Sequence, residues 1–264
     1  MAVEGKQQKD GRGLCIGTSG WSYPEWGGGF YDGAPRADWL SRYATRFDAV
    51  EVNATADPRF DREPLARWAL ETPPGFRFAM KGSRHVTHVR RLAVQPHNVA
   101  AERARAQALG DKLGVVLWQI KRAWACDYLR LAGFLQLLRA WPEVRHAFEF
   151  RDESWFIPEV AELLSEHGAV NVISDARNWP RWDAVTGGTV YVRLHGRERT
   201  YVSRYGDAEL AEWAGRIEGW RARGCAVWVF FDNAAAGHAP QDALRLLALC
   251  ERFEPNLAPA TRAA

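Results

Sequence analysis

Three pairs of polar residues interrupt apolar runs at the same spacing. Glu51 and Asn53 flank Val52, Glu149 and Arg151 flank Phe150, and Arg193 and His195 flank Leu194. Residues two apart on an extended strand share a face, so each pair presents two polar groups in one direction. Lys81, Gln119, Asp175 and Asp232 end four further apolar runs. Carboxylates and imidazoles gathered in this way can move protons near neutral pH. Guanidinium and ammonium groups among them can hold an oxyanion or a phosphate. The roles that follow are Glu149 or Asp232 as base, His195 or His88 as acid, and Lys81, Arg151 and Arg193 as anion holders. Glu51, Asn53, Gln119, Asp175 and Asn233 complete the candidate substrate-binding set.

Two other uses of the same residues stay open. Buried ions are costly unless paired, so a self-satisfied plug, Glu149 with Arg193 for example, would need no ligand at all. Glu149, Asp175, His195 and Asp232 also make an alternative ligand set for a divalent metal. Lys81, Arg151 and Arg193 would compete for those carboxylates, and no HxH or HxxxH spacing is present. The leading reading therefore carries no cofactor.

Such residues need strands to aim them. Eight short apolar runs, at 14–18, 49–53, 76–81, 115–119, 146–151, 170–175, 190–195 and 227–232, end in charged, amide or hydroxyl residues. Most intervals between them can hold a helix. Eight strand-then-helix units in 264 residues predict a single α/β domain, a TIM-type (β/α)8 barrel over 14–254, whose strand C-termini carry the active face. Helices are expected at 35–47, 99–109 with Asn98 as cap, 128–141 capped by Asp127, 158–167 stopped by Gly168, 207–223 capped by Asp207, and 240–253. The interval 177–188, with Asn178-Trp179-Pro180 and Gly187-Gly188, leaves no room for one, so the barrel should be irregular between its sixth and seventh strands. Residues 1–13 read as a disordered leader and 255–264 as a loose tail.

Composition sets the outer bounds. With 47% hydrophobic and 25% charged residues the chain can bury a large core. The formal charge of +3 decides little. Its distribution says more, since residues 81–91 carry Lys81, Arg84, Arg90 and Arg91 with no acid. A locally basic mouth suits a small anionic substrate or a short nucleic acid better than a long duplex. The cysteines, Cys15, Cys126, Cys225 and Cys250, show neither CxxC nor metal-like spacing. The polar start lacks a signal-peptide core, and no run approaches the ~20 apolar residues of a membrane span. A cytoplasmic protein without a membrane is expected; no protein partner can be inferred. Of the thirteen tryptophans, Trp39, Trp68, Trp213 and Trp220 fall on helices. Trp21, in the Gly-rich first loop, and Trp155, after the fifth strand, are candidates for stacking on a ring.

Several of these segments together resemble the domain-of-unknown-function 72, or YecE-like, family. They are the GTSGWSYPEW start, Val50-Glu51-Val52-Asn53, Lys81-Gly-Ser-Arg-His-Val-Thr-His88 and His146-Ala-Phe-Glu-Phe-Arg151. Tyr191-Val-Arg-Leu-His-Gly196, the Tyr201 and Tyr205 segment and Phe231-Asp-Asn-Ala-Ala-Ala-Gly-His-Ala239 extend the match to residues 14–251. The resemblance implies a TIM-type barrel of the kind that also hosts sugar isomerases and apurinic endonucleases, and implies no activity. The chain departs from the family pattern in two loops. Asn53-Ala54-Thr55-Ala56-Asp57 stands where the family reads Asn-Ser-Thr-Phe-Tyr, and Gln119-Ile120-Lys121-Arg122 where it reads Gln-Leu-Pro-Pro. The function expected first is acid/base chemistry on a phosphate-bearing substrate, a nucleotide or nucleic-acid fragment, with phosphate-ester hydrolysis foremost. A metal-dependent sugar isomerase or hydrolase and a non-catalytic nucleotide-binding module are the alternatives.

Overall fold

All eight apolar runs become strands and all pair in parallel. They are β1 (Leu14–Thr18), β2 (Ala49–Val52), β3 (Arg77–Lys81), β4 (Leu113–Gln119), β5 (Arg145–Glu149), β6 (Val170–Ala176), β7 (Thr189–Gly196) and β8 (Ala226–Phe231). The computed structural model describes residues 13–252. The sheet order is β1-β8-β7-β6-β5-β4-β3-β2, so every strand lies beside its neighbour in sequence and β8 returns to β1. This is the (β/α)8 TIM-type barrel. Of the expected leader and tail, only Gly13 falls among the described residues, and its carbonyl accepts from the Val227 N–H at 2.7 Å.

The ring closes between β1 and β2 with few main-chain bonds. At the C-terminal ends Ser19 bridges Glu51, and the Gly20 N–H donates to the Glu51 carbonyl at 2.8 Å. Below that the Tyr43 hydroxyl stands in for a ladder rung. It accepts from the Thr18 N–H at 2.8 Å and donates to the Ala49 carbonyl at 3.0 Å. Gly17 makes room for it, because a Cβ there would collide with the Ala49 carbonyl.

Among the described residues seven helices cover the outside: α1 (Trp39–Tyr43), α2 (Glu63–Glu71), α3 (Pro96–Ala106), α4 (Tyr128–Leu138), α5 (Pro158–Glu166), α6 (Asp207–Ala222) and α7 (Ala239–Glu251). Asp127 caps α4 as expected, its carboxylate accepting from the Arg130 N–H at 3.1 Å. Gly168 ends α5 with φ +61°, the left-handed conformation glycine adopts without strain. Two caps differ from expectation. α3 starts earlier, at Pro96, so Asn98 lies inside the first turn and its Oδ1 accepts from the Gln95 N–H. α6 is capped at Gly206, whose N–H donates to Glu209, and Asp207 becomes the first helical residue. α1 is only five residues long, preceded by the 3-10 turn Arg36–Asp38.

No helix joins β6 to β7, as the sequence predicts. The connecting segment is tied to the strand by polar bonds instead. The Asn171 side-chain amide donates to the Trp182 and Ala184 carbonyls at 3.0 Å each. The Asn171 N–H donates to Thr186 Oγ1 at 2.8 Å. An outward-facing Asn on β6 thus replaces the apolar contact a helix would make. No helix among the described residues is long and apolar enough to cross a membrane.

Candidate functional site

Strand alternation builds the site in one step. Ala49, Ala79, Leu117, Ala147, Val172, Tyr191 and Phe230 fill the barrel interior. Two residues further along the same strands come Glu51, Lys81, Gln119, Glu149, Ser174, Arg193 and Asp232, and Ser19 completes the ring from β1. An apolar floor therefore carries a polar layer to which every strand contributes.

Arg193 is its centre and is 1% exposed. Its Nε donates to Glu51 at 2.9 Å and its Nη1 to Glu149 at 3.0 Å. Nη2 reaches Glu51 at 2.7 Å, Asp232 at 3.0 Å and Ser19 at 3.2 Å. All three guanidinium nitrogens are engaged. The carboxylates have further donors. Glu51 accepts from the Tyr191 hydroxyl at 2.7 Å and from the Ser19 hydroxyl. Glu149 accepts from Gln119 at 2.5 Å and Ser174 at 2.9 Å, with Arg151 Nη2 at 3.3 Å. Burial alone would raise the Glu149 carboxyl, but Arg151, Arg193 and His195 hold it well below the usual range. For Asp232 burial is likewise outweighed, by Arg193, then His195 and Lys81, and its carboxyl is lowered.

His195 lies above Arg193 on β7, fully buried. Its Nε2 is 3.3 Å from Glu149 Oε1 and its Nδ1 is 3.1 Å from Asp232 Oδ2. The Trp179 and Tyr201 rings pack edge-on against it, with centroids 4.5 and 5.6 Å away. Arg151 lies over the Trp179 ring of this canopy, its Cζ 3.9 Å from the centroid. Tyr201 holds its place with φ +68°, a conformation costing roughly 1–2 kcal/mol in a residue with a side chain. Strain of this kind, maintained beside a polar cluster, marks functional positions more often than framework.

Lys81 enters the layer from β3. Burial first, and Arg193 next, lower its pKa, against the opposing pull of Glu149, Glu51 and Asp232. Arg193 has absorbed those carboxylates, and among the described residues the Lys81 ammonium makes no hydrogen bond or ion pair. Arg151 Nε is likewise buried without a partner. Beyond Lys81 the basic loop winds as a π-helical turn, His85–Val89, closed by the Arg90 N–H donating to the His85 carbonyl at 2.8 Å. Such turns are rare and recur at functional sites. Burial, then Arg84, Lys81, Arg151 and Lys121, push His88 down to about 4, so its ring is neutral at pH 7 and is not a resting acid. A cleft of about 590 Å³ opens beside it, between this turn and the residues after β2, lined by Asn53, Ala56, Arg59, Arg84, His85 and His88. The small Ala56 leaves that space open where the family pattern has the first residue of an aromatic pair, and Asp57 stands in place of the second.

The sequence-predicted residues therefore divide. Glu51, Lys81, Gln119, Glu149, Arg151, Arg193, His195 and Asp232 come together, with Asn53 joined through Ser19 at 2.7 Å. Arg193 holds carboxylates, not a free anion. Asp175 sits one residue out of phase, accepting from Arg197 at 2.9 Å and the Tyr205 hydroxyl at 3.1 Å. Glu149, Asp175, His195 and Asp232 thus do not converge as a ligand set. Among the described residues no group of three or more His, Cys, Asp or Glu is disposed to hold a metal ion. Asn233 is buried and donates to the Ser203 carbonyl and Asp242, tying the Tyr201 segment to α7. Trp21 packs edge-on against Trp68, and Trp155 stacks on Phe150 while donating to the Trp124 carbonyl at 2.8 Å. Both anchor loops, and Trp179 and Tyr201 are the rings at the mouth. Ser19 and Ser174 were not singled out from sequence; strand phase alone would have found them.

Fold and mouth together define a parallel barrel with a charged layer across its C-terminal face. The model described as "Protein of unknown function DUF72" matches residues 15–263, and the chain belongs to that family. The UPF0759 protein YunF of Bacillus subtilis (strain 168) is 24% identical over 252 residues, covering 83% of this chain and 89% of that protein. A DUF72 family protein of Thermotoga maritima MSB8 superposes with a TM-score of 0.81 at 26% identity, covering 90% of this chain and 99% of that one. A second, from Enterococcus faecalis V583, gives 0.77 at 22% identity, over 90% and 95% of the two chains.

Proposed function

We propose that the mouth is the active site of an enzyme that works by acid/base chemistry on a small phosphate-bearing molecule. The observation that carries this reading is the contrast between donors already bonded within the layer and donors left over. All three carboxylates of the layer are engaged by Arg193, whereas Lys81 makes no hydrogen bond or ion pair among the described residues, Arg151, paired to Glu149, keeps an unpartnered Nε, and the exposed Arg84 lines the cleft. A mouth so arranged attracts an anion of small size. The depressed His88 samples the same positive surroundings.

Asp232 is the carboxylate of the layer that reaches furthest toward solvent, its side chain 13% exposed against 0% for Glu51 and Glu149. With His195 behind it, it forms a pair able to pass a proton to or from a bound ligand. Glu149 fixes the imidazole from the other side. Trp179 and Tyr201 cover His195, and the exposed Tyr201 ring is free to meet a base or sugar. The nucleotide or nucleic-acid fragment is the ligand class this suits.

The completeness of the Arg193 pairing favours a second reading, in which the layer is a polar plug and the mouth binds without turnover. One experiment separates them. Phosphate, nucleotides and sugar phosphates are screened by thermal shift, and every stabilising compound is then followed for product. A ligand at 100 times its Kd should stabilise by about 2.7 kcal/mol. Stabilisation with turnover that is lost in Asp232→Asn supports the enzyme. Stabilisation without turnover supports the binding module, and no stabilisation by any phosphate compound refutes both.

A further inference from the structure

The sequence contains five lysines, Lys6, Lys9, Lys81, Lys112 and Lys121. The three described ones have different fates. Lys121 is exposed. Lys112 is spoken for, donating to the Ala69 and Thr72 carbonyls at 2.6 Å each. Lys81 is largely covered, yet partner-free among the described residues, at the end of a barrel strand in a layer whose carboxylates Arg193 has taken.

We propose that Lys81 is a nucleophilic amine that forms an imine with an aldehyde or ketone bearing an anionic group. The inference rests on the reading of the mouth as a phosphate-binding active site and supplies its substrate class. Covered position leaves the ammonium poorly solvated, with Glu149, Glu51 and Asp232 attracting it only from beyond hydrogen-bond reach, and poor solvation is how lysines become amines able to attack carbonyls. Arg193 adds like-charge repulsion from the same layer. Arg151 and Arg84 are placed to take the anionic end of the substrate.

The step balances without an oxidant. Lys81 first gives up its ammonium proton to water, since the neutral His88 ring, held down at about 4, is too weak a base to take it. The nitrogen lone pair then forms a C–N bond to the carbonyl carbon, and the C=O π pair moves to oxygen, which is protonated. Loss of that oxygen as water, protonated from the Asp232–His195 pair, gives the imine. The sum is amine plus carbonyl giving imine plus water.

The test uses the full-length protein with dihydroxyacetone phosphate as probe, cyanoborohydride to reduce the imine, and peptide mass mapping at each lysine. Thermal shift with the same probe and with inorganic phosphate is run in parallel. The expected result is cyanoborohydride-dependent label on Lys81 above that on exposed Lys121, reduced by excess phosphate. The pH midpoint of labelling should lie below that of Lys121. Label should be lost in both Lys81→Met and Lys81→Arg, the second retaining the positive charge. Comparison of Lys81 with Lys121 inside the unmodified protein keeps the test decisive even if a variant fails to fold.

Stabilisation by the probe with Lys81 labelled no more than Lys121 overturns the imine and leaves the phosphate reading intact. Labelling of Lys81 by uncharged propanal, with no stabilisation or protection by phosphate, supports the nucleophile and overturns the phosphate reading. Neither labelling nor stabilisation overturns both.

Discussion

Replacing Arg193 by methionine keeps an unbranched apolar stem and removes the charge on which the layer turns. The loss falls on three carboxylates unequally. Glu51 keeps its donors from Ser19 and Tyr191, and Glu149 keeps Gln119, Ser174 and Arg151. Asp232 keeps His195 and some solvent. Removing one partner of a buried ion pair costs about 3–5 kcal/mol. Because the remaining donors soften the damage, the variant should lose about 4 kcal/mol at pH 7, not three times that. For a chain of this size that is a fall in Tm of roughly 10 °C. The pH dependence should also change sign. In the intact protein Glu149 and Asp232 have carboxyls lowered on folding, so their contribution is complete above the unfolded range near pH 4 and is lost as pH falls below that range and through their lower folded values. Without Arg193 the Asp232 carboxyl, which Arg193 lowers most, rises under burial, whereas Glu149 keeps Arg151 as its largest lowering charge. Once Asp232 stands above its unfolded range, folding takes up a proton there, and the variant should gain stability as pH falls from 7 towards 5. Urea denaturation at both pH values measures this. Curves that run parallel to the intact protein, displaced by less than about 1 kcal/mol, would show that Arg193 does not neutralise the layer.

Two further outcomes concern the frame. Tyr43→Phe removes the hydroxyl that joins β1 to β2 and strands the buried Thr18 N–H, so a loss of about 1–3 kcal/mol is expected in urea denaturation; an unchanged midpoint would mean the rung is not needed. Asn171→Ala frees the 177–188 segment from β6, and limited trypsin digestion should then cut at Arg177 and Arg181 faster than in the intact protein. Equal rates would show that the segment is held by its other contacts.

The barrel was readable because each strand is an apolar run with a polar end, and the missing helix because Pro180 and the two glycines leave no length for one. The site was readable wherever strand phase is unambiguous. On β7, Val190, Val192 and Leu194 can face only the helices, which sends Arg193 and His195 to the mouth. β6 is different. Asn171, Ile173 and Asp175 mix polar and apolar on one face, Val172 and Ser174 on the other, so the stronger chemistry of Asp175 drew the assignment away from Ser174. The loop tryptophans were unreadable for another reason: Trp155 and Trp179 follow adjacent strands in similar surroundings. Only the tertiary partners, Phe150 and Trp124 for one and His195 and Arg151 for the other, separate anchor from canopy. That Arg193 would be wholly absorbed by carboxylates depends on distances across the ring, which no local pattern carries.

The closure of the ring has a consequence for how this mouth can change over time. β1 and β2 meet through Ser19 and Glu51, and these are also members of the charged layer. Chemistry and frame thus share residues, unlike barrels whose active loops vary freely above an indifferent scaffold. A lineage experimenting with new substrates at Glu51 or Ser19 would first loosen its own hoop. The rim residues Ala54 and Ala56 carry no such duty, so divergence in specificity has its open road there, around an inherited and nearly immovable centre.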